Sequence, residues 1–305
     1  MSEKKKRILI SGASGLIGSA MRRAAQERGM DLTTLVRHHR DVVGGTIYWN
    51  PGKADGAIHP MGVEELDAVL HLSGASVARR WTEARKREIV ASRVGSTGAL
   101  CEALAQVRHP PRVLVCASAI GIYGDRGEEV LTEDSAPGTG FLAETCVAWE
   151  KAAEKARAAG IRVVHARFGV VLSRKGGALK KMLPAFQLGL GGKLGSGQQW
   201  MSWISLRDAV RAMLFLMDSD DLAGAFNLTT PHPVRNADFM KELGAAAHRP
   251  AWLGVPAGAL RMAFGATMAN ETLLASARVL PRNLEEAGFR FEDAEIGAAL
   301  RALPG

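Results

Sequence analysis

The stretch Arg7-Ile8-Leu9-Ile10-Ser11-Gly12-Ala13-Ser14-Gly15-Leu16-Ile17-Gly18 decides the fold. Ile8 to Ile10 form an apolar run suited to a buried strand, and Ser11-Gly12 ends it. Leu16, Ile17, Ala20, Met21, Ala24 and Ala25 then recur at helical spacing until Gly29. Strand, turn and helix thus follow in order, with Gly12, Gly15 and Gly18 in the turn. In such a turn one glycine permits the tight bend, the next lets backbone approach a pyrophosphate, and the third lets helix pack on strand. The helix N-terminus adds amide donors and partial positive charge. The glycine spacing alone is weak, but its place between a strand and an amphipathic helix makes it a dinucleotide-binding signature.

The same alternation continues outward. Leu32 to Val36 and Ala68 to Leu72 read as strands, Thr82 to about Gln106 as helix, and Val113 to Ala117 as strand; a helix ending near Gly160 and the strand Ile161 to Ala166 follow. Strands that are continuous apolar runs between helices mark a parallel sheet covered on both faces, so the expected class is α/β, a doubly wound sheet. Beyond Arg167 the rhythm breaks: a glycine-rich segment spans Gly176 to Trp203, Ala209 to Met217 looks helical, and Ala225 to Leu228 looks like a strand. The rest reads as short helices interrupted by proline. The organisation expected is a nucleotide-binding domain over residues 1–230, with 176–203 as a lid over substrate, and a small C-terminal domain over 231–305.

Composition narrows the class. At 305 residues and 32.5 kDa, with 47% apolar and 23% charged residues, the chain is long enough for one large α/β domain and a small companion. No run approaches the roughly 18 apolar residues of a membrane helix, and the first strand begins too early to leave room for a signal peptide, so the expected compartment is the cytosol, with no membrane partner. Cys101, Cys116 and Cys146 are too widely spaced for a zinc site or a disulfide framework, and no metal is expected. The net charge of +8 would suit nucleic acid or an anionic surface, but the basic residues are scattered apart from Lys4 to Arg7 and only two tyrosines offer stacking, so a phosphate-bearing small molecule is the expected use of the charge and neither of the others is.

Which dinucleotide is read at the end of the second strand. NAD-preferring folds place a carboxylate there for the ribose hydroxyls, whereas this chain reads Val36-Arg37-His38-His39-Arg40. A guanidinium at Arg37 matches a 2′-phosphate in charge and fork geometry, which favours NADP.

Taken with His71-Leu72-Ser73-Gly74-Ala75 and Ser118-Ala119-Ile120-Gly121-Ile122-Tyr123-Gly124, the glycine turn resembles that of the extended short-chain dehydrogenase/reductases, which have the Rossmann fold. Arg80 to Glu83, Asp125-Arg126-Gly127, Trp149-Glu150, Leu188 to Gly192 and Gly197 to Trp200 narrow the resemblance to an atypical branch, the epimerase-family proteins described as nucleoside-diphosphate-sugar epimerases or cell-division inhibitors. The tail from about Arg249 to Leu300 is similar to that branch's small C-terminal domain. The resemblance implies that Gly12, Ser14, Gly15, Leu16, Ile17 and Gly18 hold the pyrophosphate and Arg37 the 2′-phosphate. It implies Leu72, Ser73, Gly74 and Ala75 on the adenosine side, and Ala117, Ser118, Ala119, Gly169 and Val170 on the nicotinamide side. A homodimer through a helical face follows only by analogy with the family.

Ordinary members use a Tyr-x-x-x-Lys pair whose lysine lowers the tyrosine pKa for proton transfer. Here the tyrosines are Tyr48 and Tyr123, and four residues after them stand Gly52 and Gly127. Aligning Glu150 with the family's glutamate puts Cys146 at the lysine position and Leu142 at the tyrosine position. The catalytic candidates are then Ser118 as hydrogen-bond donor, Tyr123 as acid, and Cys146 or Glu144 as proton carrier. Gln198, Trp200 and Trp203 are the substrate candidates, with Lys180, Lys181 and Lys193 for a phosphorylated ligand. Two functions are left open: an NADP-dependent oxidoreductase or epimerase-like enzyme acting on a small, sugar-like substrate, and a non-catalytic NADPH-responsive binding protein.

Overall fold

The computed structural model describes residues 5–53 and 57–303. Lys4 of the basic run lies outside the described residues. Seven parallel strands form the central sheet: β1 (Arg7–Ser11), β2 (Asp31–Val36), β3 (Thr46–Tyr48), β4 (Ala68–His71), β5 (Val113–Ala119), β6 (Arg162–Phe168) and β7 (Gly224–Leu228), in the order β7-β6-β5-β4-β1-β2-β3. The chain runs outward from β1 through β2 to β3 and then returns to β4 on the other side of β1. This makes the β1–β4 boundary the switch point, where open α/β sheets bind ligands beyond the strand ends.

The sheet is buried because both faces carry apolar side chains. Ile8 and Ile10 point into one core with Met21, Val115 and Met213, while Leu9 points into the other with Val69, Leu114, Leu100 and Trp149. The first core is covered by α1 (Leu16–Glu27) and the helix Leu206–Asp218; the second by α3 (Ser96–Leu104) and α4 (Phe141–Ala152), with α2 (Glu83–Val90) running into α3.

Most elements match the sequence reading within a few residues. In the central sheet the strand missed is β3, a three-residue edge strand whose Tyr48 pairs in register with Val36. The helix expected over Thr82 to Gln106 runs from Glu83 to Leu104 but widens into a π-turn at Ala91–Gly95. The glycine-rich segment departs further from expectation. It is no simple loop, because Gly177–Gln187 is a helix and Trp203–Ser205 a short strand beside Val170–Leu172. Its Leu179, Phe186 and Trp203 share a third core with Phe239, Leu243 and Leu300 of the tail, so segment and tail are packed as one layer.

Candidate functional site

The glycine turn is fixed by close backbone approaches. Gly12 has φ +69°, and a Cβ there would stand 2.6 Å from the Leu72 carbonyl oxygen; one at Gly18 would stand 2.2 Å from the Gly12 oxygen. Neither position tolerates a side chain, and so the turn lies flat across the ends of β1 and β4. Gly15 caps α1 without a side chain, and no acidic residue occupies the first turn, which leaves its amides and dipole directed at an incoming anion. Leu16 reaches forward to Gly176 and Gly177 at the base of the following segment, and Lys181 Nζ donates to the Ala78 carbonyl at 2.6 Å. The Gly177–Gln187 helix thereby spans from the glycine turn to the loop after β4.

That loop is held by the π-turn. Ser92 Oγ accepts from the Ala75 amide at 2.9 Å, and Arg93 Nη1 donates to the Ala75 carbonyl at 3.0 Å. The Arg93 guanidinium lies over the Trp149 ring at 5.1 Å, and a Cβ on Gly74 would be 3.3 Å from its central carbon. Burial lowers the Arg93 pKa, and Arg85 adds like-charge repulsion. Among the described residues it has no carboxylate partner. Beneath the loop His71 is fully buried, its Nδ1 2.7 Å from the Ser11 hydroxyl, and burial lowers it to about 4, so the ring is neutral.

At the end of β2, Arg37, His38, His39, Arg40, Tyr48 and Lys53 line a cleft of about 330 Å³. The His39 ring stacks on Tyr48 at 3.6 Å. Sequence reasoning found Arg37 but missed Tyr48 and Lys53, which reach the cleft only because β3 pairs with β2. The expected cofactor residues Gly12 to Gly18, Arg37, Leu72 to Ala75, Ala117 to Ala119, Gly169 and Val170 all fall at the carboxyl edge of the sheet or just beyond it.

The expected catalytic groups are arranged differently. Ser118 Oγ donates to Glu150 Oε1 at 2.7 Å, and Arg167 grips the same carboxylate with Nε at 2.8 Å and Nη2 at 2.9 Å. Tyr123 is wholly buried; its hydroxyl donates to Asn227 Oδ1 at 2.7 Å and accepts from Arg167 Nη1 at 2.9 Å. Burial by itself would raise the Glu150 carboxyl, yet the Arg167 and Ser118 hydrogen bonds outweigh it and hold the group below the ordinary range. Burial likewise raises the Tyr123 phenol.

These contacts correct three expectations. The donor proton of Ser118 is committed to Glu150. Tyr123 is a buried strut with both hydrogen-bonding roles filled. The Cys146 thiol is pushed up to about 12, chiefly by burial, and at neutral pH it is an inert packing group. Glu144 is exposed on α4.

The substrate candidates also separate. Trp203 is a correction: it is 0% exposed in the third core, with Nε1 donating to the His232 carbonyl at 3.1 Å, and cannot face a ligand. Trp200 is half-buried, with the guanidiniums of Arg235 and Arg278 over its ring at 4.0 and 4.6 Å and its Nε1 donating to Glu128 at 3.1 Å. Gln198 is exposed. A cavity of about 670 Å³ opens between α2, α4 and the tail, lined by Lys86, Val90, Phe141, Glu144 and Glu271 among others. The Glu271 carboxylate accepts the Phe141 and Leu142 amides at the start of α4, at 3.2 and 2.8 Å.

Residues 8–229 match the model of the NAD dependent epimerase/dehydratase family, and residues 255–303 match a domain of unknown function, DUF1731. The epimerase family protein Mb2239 of Mycobacterium bovis is 44% identical over 294 residues, 96% of each chain. Among solved structures, human epimerase family protein SDR39U1 (isoform 2), determined with NADPH, superposes with a TM-score of 0.87 at 31% identity, covering 97% of this chain and 98% of that one. A nucleoside-diphosphate sugar epimerase from Corynebacterium glutamicum gives a TM-score of 0.78 at 33% identity, covering 97% of this chain and 57% of that one. On these matches, and on a Rossmann sheet with the glycine turn at its switch point, the chain belongs to the NAD dependent epimerase/dehydratase family.

Proposed function

We propose that the protein binds NADP(H) at the sheet switch point and acts as an oxidoreductase or epimerase-like enzyme on a small oxygenated, sugar-like substrate. The observation that carries this reading is the cleft at the end of β2. Arg37, Arg40 and Lys53, with two histidines, stand where an NAD site needs a carboxylate, and they suit a 2′-phosphate in charge and in donor geometry. The NADPH in the human relative's structure supports the same choice.

The chain's residues divide the work. The open amides of α1 and the side-chain-free surface of Gly12 and Gly15 receive the pyrophosphate, while Leu72 to Ala75, pinned by Ser92 and Arg93, and Ala117 to Ala119 with Gly169 and Val170 border the ribose and nicotinamide side. When bound, the cofactor supplies hydride exchange at nicotinamide C4. Arg93 brings a cation beside Cys146, the position where ordinary relatives carry lysine, so it takes over the binding share of the absent pair and offers an anion or hydroxyl its unshared donors. Gln198 and the Arg235–Trp200–Arg278 group form the substrate wall.

The second reading, a non-catalytic NADPH-responsive protein, is favoured by one observation: Ser118, Tyr123 and Cys146 are all sequestered. Incubating the protein with NADPH and a library of carbonyls and sugar nucleotides separates the two. Loss of NADPH absorbance with one substrate class is expected; binding of NADPH with no consumption across the library would favour the second reading.

A further inference from the structure

Two loops laced together display large apolar side chains to solvent. Val255 N donates to Lys193 O at 2.9 Å, Leu253 N to Gly191 O at 3.3 Å, and Arg249 Nε to Gln187 O at 3.3 Å, so residues 187–194 and 249–255 form one ledge at the rim of the third core. On this ledge Leu188 and Trp252 are 74% and 79% exposed, and Leu190 and Leu253 are about half exposed. A solvent-facing tryptophan flanked by three leucines is an uncompensated apolar patch.

The charge around it is one-sided. No Asp or Glu stands between Glu154 and Asp208, nor between Glu242 and Glu271, and these two acid-free stretches contain the whole ledge together with Lys180, Lys193 and Arg249. Apolar tips on a ledge whose own charges are the cations Lys193 and Arg249, without a carboxylate in either segment, match the two attractions of an anionic bilayer surface: burial of tryptophan and leucine at the headgroup boundary, and Coulomb attraction of lysine and arginine to lipid phosphates. A second copy of the chain docked symmetrically here would face cations with cations. Nucleic acid would use the charge but leave the leucines in water.

We propose that the Leu188–Leu190 and Trp252–Leu253 ledge is a peripheral docking surface for anionic lipid membranes. No helix among the described residues is long and apolar enough to cross a bilayer, and docking at the surface needs none. The sequence expectation of no membrane partner rested on the lack of a spanning segment and on the scatter of the basic residues along the chain, and neither bears on how the fold gathers this ledge. Nothing in this proposal depends on the cofactor assignment.

The test is cosedimentation of the full chain with vesicles of phosphatidylcholine alone or mixed with phosphatidylglycerol. Binding to the mixed vesicles, at least about tenfold tighter than to neutral ones and weakened as salt shortens the screening length from about 10 Å to 3 Å, is expected. The double substitution Trp252→Ser/Leu253→Ser should weaken binding by about tenfold or more, as should the charge reversal Arg249→Glu, with NADPH affinity and melting temperature unchanged. No sedimentation with either vesicle overturns the proposal, and so does equal binding by wild type and both variants. Two further outcomes overturn it: displacement from mixed vesicles by an oligonucleotide that binds the ledge more tightly, which would assign it to nucleic acid, and a dimer abolished by Trp252→Ser/Leu253→Ser without vesicle binding, which would assign it to a second copy.

Discussion

The glycine turn and the face formed by β5 and α4 lie on the same edge of one sheet, and they have been treated oppositely. At the turn the features proposed to receive a dinucleotide are present and open: side-chain-free backbone, uncapped amides, and a cationic cleft beyond β2. Across the switch point, the groups that would move protons are closed into a lattice running from Ser118 through Glu150 and Arg167 to Tyr123 and Asn227. On the proposed reading the cofactor half is open, Ser118 and Tyr123 serve the structure, and, among the described residues, the free cation beside them is Arg93.

The sharpest way to break this comparison is to cut the lattice. Glu150→Ala leaves the Arg167 guanidinium buried without its carboxylate, and a loss of about 3–5 kcal/mol is expected in urea unfolding. A loss below ~1 kcal/mol would mean the lattice is not a structural unit.

Acid should expose a second buried polar group, on the open side of the site. His71 has a folded pKa of about 4 against an ordinary value of 6.5. The unfolded chain therefore takes up this proton first, and its stabilising contribution is full above pH 6.5 and lost as pH falls through the window down to 4. About 3 kcal/mol is at stake from the size of that shift. Unfolding measured between neutral pH and pH 4 should show this slope flattened in His71→Asn.

At the turn, Gly18→Ala places a Cβ against the Gly12 oxygen and should cost about 1–3 kcal/mol of stability together with most NADPH affinity. Unaltered nucleotide binding would show that the turn is not the pyrophosphate site. The smallest effect belongs to the inert thiol: Cys146→Ser should leave NADPH affinity, and the rate with any substrate found, within about twofold, a difference under ~0.5 kcal/mol. A large fall in rate alone would return Cys146 to the chemistry.

The two halves were also unequally legible in the sequence. The turn could be read because its requirements are backbone requirements, met by glycines within seven residues and flanked by strongly periodic elements. Arg37 was legible for the same reason, standing at the end of a strand. Tyr48 and Lys53 were not, since β3 is too short to announce itself and its pairing with β2 is a tertiary fact. Arg93 was hidden by the π-turn, which shifts the helical phase at that residue. The lattice was the least legible part. Ser118 meets Glu150 across 32 residues and Arg167 meets it across 17, pairings that only the β5–β6 register and the packing of α4 create. Trp203 was misplaced because composition cannot tell a tryptophan of a lid from one of a core.

The central claim is that the cationic cleft beyond β2 selects the phosphorylated dinucleotide. Calorimetric titration of nucleotide-free protein with NADPH and with NADH tests it most directly, repeated with Arg37→Ala. The account predicts tighter binding of NADPH, with a difference of about 1–3 kcal/mol lost in the variant while NADH is unaffected. Equal affinities for the two, or no heat from either, would contradict it.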